Sequence, residues 1–193
     1  MNITVYCGAA EGLDPEFIVR ARELGAWMAE HGHRLVYGAG NSGMMGAVSD
    51  AVIDGGGEAI GVTPQFFVLA EETRDDLSEV LISDDMSTRR NWMIEHGDAF
   101  IALPGGMGTL DEITEVMTYK RLGLLGEVNK PVMVYNINGY YDRFFGFLDD
   151  MRGMDFCRES DRANVIEVKC IEDIERALEG AGEIDKDRNN KYD

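Results

Sequence analysis

Seven short runs rich in Val, Ile, Leu and Phe, at positions 3–7, 34–37, 59–62, 79–82, 99–103, 132–135 and 165–168, alternate with longer segments of a different pattern. In those segments apolar residues recur every three or four positions, the spacing of a helix with one buried stripe. They span 14–31, 44–53, 86–96, 109–122, 140–151 and 171–178. Asp14-Pro15 reads as a helix start, and Gly55-Gly56-Gly57 as a stop before the next strand. Apolar runs without alternation suit strands buried on both faces, and helices between strands supply the crossovers that parallel pairing needs. The expected fold is therefore α/β, a Rossmann-like three-layer α/β/α domain around a parallel sheet. One nucleotide-binding domain over residues 1–180 holds every element, since 193 residues suffice for one core and are few for two. Residues 181–193 lack apolar anchors and read as a flexible tail.

Charge narrows the partners. Asp and Glu number 36 against 18 Lys and Arg, a net charge of −18, so most of the surface repels nucleic acid and anionic membranes. No apolar run approaches the roughly 20 residues that span a bilayer. The N-terminus, Met1-Asn2-Ile3-Thr4-Val5-Tyr6-Cys7-Gly8, reads as a strand instead of a signal peptide. Cys7, Cys157 and Cys170 form no disulfide framework, which points to a reducing, cytoplasmic setting. His31, His33 and His96 supply no spaced metal set with them.

In open parallel sheets ligands bind beyond the carboxyl ends of the strands, so the loops there carry the chemistry. Three stand out. Gly38, Gly40 and Gly43 match GxGxxG between a strand and a helix, and Glu58 lies twenty positions on. Yet Glu58 precedes its strand, whereas a ribose-binding acid belongs at the far end, near Thr63-Pro64. The turn therefore suits a nucleotide contact or tight helix–strand packing better than a nicotinamide cofactor. The second loop runs Leu103-Pro104-Gly105-Gly106-Met107-Gly108-Thr109-Leu110-Asp111-Glu112. Its glycines bring backbone N–H groups close to a ligand at a helix N-terminus, a setting for phosphate, and Thr109 adds a hydroxyl. Without a following lysine it is no triphosphate-cleaving loop. Asp111 and Glu112 either complement the first helical turn or perform a task beside the anion. The third is Asp84-Asp85-Met86-Ser87-Thr88-Arg89-Arg90, read as an anion clamp or as arginines paired with Asp84 or Asp85.

Taken together the loops resemble the Lonely Guy (LOG) family of cytokinin-activating phosphoribohydrolases. Its PGGxGTxxE signature appears as Pro104 to Glu112, and its M-x-x-R-K element as Met86 to Arg90, with arginine replacing lysine. Its glycine-rich turn is Gly38 to Gly46, its early turn Cys7-Gly8-Ala9-Ala10, and a later landmark Asn138-Gly139-Tyr140-Tyr141-Asp142. The likeness spans about residues 3 to 178. Ser87 stands where many members have histidine, Ala9-Ala10 replace hydroxyl side chains, and Arg121 replaces a glutamine. The resemblance implies hydrolysis of the N-glycosidic bond of adenosine 5′-monophosphate, or an N6-modified form, to free base and ribose 5-phosphate. It implies Glu112 and Arg89 as catalytic residues. Gly105, Gly106, Gly108, Thr109, Gly40, Gly43, Met86, Arg90 and Asp111 would bind substrate. It implies no metal or organic cofactor, and a homodimer with the site near the interface. A nucleotide-binding or sensing module without turnover is the alternative. Amino-acid decarboxylation would need a pyridoxal-bearing lysine, and Lys120, Lys130, Lys169, Lys186 and Lys191 all lie outside these loops.

Overall fold

The computed structural model describes residues 1–69, 74 and 76–184. All seven expected strands form: β1 (Asn2–Tyr6), β2 (Arg34–Tyr37), β3 (Ala59–Pro64), β4 (Glu79–Ser83), β5 (Ala99–Ala102), β6 (Val132–Tyr135) and β7 (Val165–Val168). They build one sheet in the order β4-β3-β2-β1-β5-β6-β7, every pair parallel. The helices are α1 (Glu16–Glu30), α2 (Gly43–Asp54), α3 (Gln65–Leu69), α4 (Met86–His96), α5 (Met107–Arg121), α6 (Asp142–Gly153), α7 (Glu159–Ala163) and α8 (Ile171–Leu178). The short α3 and α7 fall outside the periodic pattern, because five residues are too few to show a period.

Alternate strand residues feed two cores. Ile3, Val5, Leu35, Tyr37, Ile101, Leu103 and Tyr135 face α1, α2 and α8 on one side. Tyr6, Val36, Ile60, Val62, Phe100, Ala102 and Val134 face α4, α5 and α6 on the other. Both faces of the central strands are thus dry, which is why their sequences run apolar without alternation. At the start of α1, Asp14 accepts the Glu16 N–H at 3.0 Å, and Pro15 already has helical dihedrals. The glycine stop after α2 holds as well: Gly56 takes φ +73° and its N–H reaches the Ile53 carbonyl.

The first four residues expected in a flexible tail are held by the chain. The Asn129 N–H donates to the Glu183 carbonyl at 2.7 Å, the Gly182 N–H donates to the Asn129 carbonyl, and Ile184 bridges Val128. Residues 181–184 are therefore tied down, and 185–193 lie outside the described residues. Among the described residues no helix is long and apolar enough to cross a membrane.

Candidate active site

The chain winds from β1 outward to β4, then returns to β5 on the other side of β1. That reversal opens a crevice between the carboxyl ends of β1 and β5, where this class of sheet binds ligands. Gly8 sits at its centre. Its N–H donates to the Pro104 carbonyl at 3.1 Å, and its own carbonyl accepts from the Met45 N–H at 3.3 Å. The loop after β1 thereby stitches together the glycine turns after β2 and β5.

A cavity of about 380 Å³ lies over this junction. Of the site residues expected from sequence, Gly40, Met86, Arg89, Gly106, Gly108, Thr109, Asp111 and Glu112 line it. Gly43, Gly105 and Arg90 do not. Gly43 backs onto the loop after β1, where a Cβ would stand 2.2 Å from the Ala9 carbonyl oxygen. A Cβ at Gly105 would stand 2.1 Å from the Thr109 hydroxyl. Both glycines therefore shape the loops from behind. Arg90 turns away to Glu115 at 2.7 Å and Asp111 at 3.3 Å.

Arg89 and Glu112 meet. Each residue is 8% exposed, and an Arg89 Nη2 lies 3.3 Å from a Glu112 carboxylate oxygen. The Arg89 Nε–H donates to the Val62 carbonyl at 2.9 Å, which fixes the guanidinium from the end of β3. Gly38 makes room for it, since a Cβ there would stand 2.4 Å from Arg89 Nη2. Burial pushes the Glu112 carboxyl above the usual carboxylate range, although the nearby Arg89 and Arg90 charges pull it down. A carboxylate poised in this way can accept a proton.

The pairing expected of Asp84 or Asp85 with the arginines does not form. Asp85 instead caps α4, accepting the Thr88 N–H at 2.7 Å, and the arginines take their partners from α5. Asp111 and Glu112 also lie past the first turn of α5, because the helix begins at Met107, two positions earlier than its periodicity suggests. A role in complementing the helix dipole therefore weakens, as that effect fades beyond the first turn. At the mouth of the cavity Gly106 and Gly108 face open space, with nothing within 4 Å of a Cβ built at either. The first N–H groups of a helix have no partner inside it, so α5 offers them to an anion here.

Sequence reasoning missed Tyr6 and Phe67, which line the cavity beside Gly38 and Met45 of the glycine-rich turn and Thr63. Thr63 comes from the end of β3 and Phe67 from α3, and the buried Thr63 hydroxyl has no hydrogen-bond partner among the described residues. The rule that ligands bind beyond strand ends points to Thr63-Pro64 as well. Glu58, at the opposite end of β3, pairs with Arg34 at 2.6 Å, far from this chemistry.

A model of the family described as "Possible lysine decarboxylase" matches residues 45–179. The chain is 41% identical over 178 residues to the cytokinin riboside 5′-monophosphate phosphoribohydrolase LOG of Oryza sativa subsp. japonica, covering 92% of this chain and 72% of that one. The chain belongs to the LOG family. A bacterial LOG-family relative, the cytokinin riboside 5′-monophosphate phosphoribohydrolase of Rhodococcoides fascians, is 38% identical over 89% of this chain and 85% of its own length. The fold also matches the molybdenum cofactor binding protein of Rippkaea orientalis, with a TM-score of 0.69 at 21% identity, covering 92% and 94% of the two chains. At that identity the likeness concerns the LOG-family fold alone. The decarboxylase description finds no support in the cavity, because no lysine among the described residues lines it. Lys120 is buried against Asn129 and the Lys130 carbonyl instead.

Proposed function

We propose that this protein hydrolyses the N-glycosidic bond of adenosine 5′-monophosphate or an N6-substituted form, releasing the base and ribose 5-phosphate. The observation that carries this reading is the buried Glu112 carboxylate held 3.3 Å from Arg89 beside an open glycine cradle. The relatives' names supply the substrate class.

The chemistry follows from the charges. As the C1′–N bond breaks, its electron pair leaves with the base and the sugar becomes a ribosyl cation. Glu112 stabilises that cation across a low-dielectric gap and takes a proton from the attacking water, whose oxygen bonds to C1′. Arg89 binds the substrate, and its charge stabilises the electron pair leaving on the base. The proton that Glu112 took from water passes to that base through solvent, so the base leaves neutral and Glu112 is again ionised. The loop at 105–109 holds the 5′-phosphate, and that binding places C1′ against Glu112. The assay is release of free base from a panel of nucleoside 5′-monophosphates. Release of adenine or N6-substituted adenine supports the reading, and intact substrate throughout the panel overturns it.

Two expectations arise directly. Adenosine should be a far poorer substrate than AMP, by about a hundredfold or more in kcat/KM, because the cradle's N–H groups lose their charged acceptor. Equal specificity constants would remove the phosphate-anchored model. The second concerns pH. Glu112 must be ionised to accept a proton, and burial raises its pKa. The acid limb of the kcat profile should therefore fall at a pH above the ordinary glutamate value of about 4.3. An acid limb at or below that value would exclude Glu112 as the base.

We further propose a homodimer. Ile113, Val116 and Leu125 are buried in the chain's own core. Leu124, 58% exposed, remains beside half-buried Tyr119, whose hydroxyl donates to Asn91 on α4. Light scattering should give twice 21.4 kDa. A mass of one chain would defeat the proposal.

A further inference from the structure

Tyr140 carries a chemical group that the reaction itself does not use, a hydroxyl donating to the Gly105 carbonyl at 2.6 Å. The peptide joining Gly105 to Gly106 is planar and trans, so its C=O and N–H point in opposite directions. Gly106 lines the cavity and Tyr140 does not. Holding the carbonyl outward on Tyr140 therefore turns the Gly106 N–H inward. That N–H has no acceptor among the described residues. We propose that Tyr140 is a positioning residue, a brace that sets the anion-binding orientation of the Gly105–Gly106 peptide.

The brace is itself firmly mounted. Asn138 and Gly139 take left-handed dihedrals, φ 50° and φ 75°, and swing the chain from β6 back toward the cradle. The Asn138 amide donates to Asp14 at 2.9 Å, linking this turn to the start of α1. Buried Asn136 accepts the Tyr141 N–H and donates to Asp142 and Glu167, each at 2.7 Å. Phe17 of α1 meets the Tyr140 ring edge-on at a centroid distance of 5.5 Å. The neighbouring Tyr141 hydroxyl donates to the Leu103 carbonyl at 2.7 Å, and burial raises its pKa so that it stays a donor. Three consecutive carbonyls, of Leu103, Pro104 and Gly105, are thus claimed by donors from Tyr141, Gly8 and Tyr140. A glycine loop is inherently mobile in φ and ψ. These bonds restrict it to one arrangement before any anion arrives, which lowers the ordering cost of binding.

The inference rests on reading the cradle as the 5′-phosphate site, and its test separates the two. Wild type and Tyr140→Phe are titrated calorimetrically with ribose 5-phosphate and, separately, with adenine, while wild type alone is assayed for base release from AMP. Tyr140 is 46% exposed, and phenylalanine keeps the ring against Phe17, so the variant retains the fold. The expected result is about a tenfold rise in Kd for ribose 5-phosphate, the loss of one hydrogen bond, with adenine affinity within about twofold. Unchanged ribose 5-phosphate affinity overturns the brace, and so does an equal loss for both ligands, which marks general loosening. Base release by wild type alongside either outcome leaves the proposed function standing. No base release alongside a selective ribose 5-phosphate loss overturns the function and upholds the brace. No ribose 5-phosphate binding by wild type overturns the brace, and base release from AMP then decides the proposed function by itself.

Discussion

Glu112→Gln is expected to lower kcat for base release from AMP by at least about a hundredfold while leaving ribose 5-phosphate affinity within a few fold. The glutamine amide keeps the shape of the side chain and can still accept a hydrogen bond from Arg89. What it removes is the negative charge that faces a developing ribosyl cation and the site that takes the proton from water. A group that acts only on the transition state shows its loss in kcat, with ground-state binding spared. Burial strengthens the effect, since a charge sheltered from water interacts more strongly with a cation formed beside it. The measurement is single-turnover base release with saturating protein, which separates the chemical step from binding. A variant retaining more than half of the wild-type rate would refute the role of Glu112.

The parts of the fold that were legible in sequence are those where one physical requirement dominates. β5 reads Ala99-Phe100-Ile101-Ala102 and is buried on both sides, so its apolar run marks it without ambiguity. α4 also shows both ends at 86–96, because Asp85 caps its start and Gly97 follows its end. α6 starts at Asp142, two residues later than its apolar spacing suggests, because Asn138 and Gly139 adopt turns that no periodicity records. Within the site, the cradle residues were legible because Gly106 caps α5 and Gly108 lies in its first turn, contiguous in the chain. The clearance that Gly38 provides for Arg89 was not, since it joins two loops distant in the chain and depends on the order of the strands. Nor was the orientation of Arg90: two adjacent arginines look alike in sequence, and only the packing of α4 against α5 sends one to Glu112 and the other to Glu115.

That divergence predicts the sharpest contrast between neighbouring residues. Arg89→Ala should reduce kcat/KM for AMP on the order of a thousandfold, and Arg90→Ala by less than about tenfold. Arg89 lines the cavity, is nearly enclosed, and is held by both the Val62 carbonyl and Glu112. Its removal withdraws a donor from the substrate and leaves a buried carboxylate without its nearest counter-charge. The second loss has a signature of its own. The Arg89 charge pulls the Glu112 pKa down against burial, so without it that pKa must rise further. At neutral pH less of the carboxylate is then ionised, and the acid limb of the Arg89→Ala profile should move to higher pH, with part of the lost rate returning as pH increases. Arg90 lies behind the cavity wall, paired with Glu115 and the 65% exposed Asp111 side chain, and its effect on Glu112 is the smaller of the two. Its removal should shift the acid limb less. Equal losses in the two variants would mean that the arginines act as one diffuse anion clamp. A thousandfold loss in Arg89→Ala with an unmoved acid limb would confine Arg89 to substrate contact and remove its electrostatic hold on Glu112.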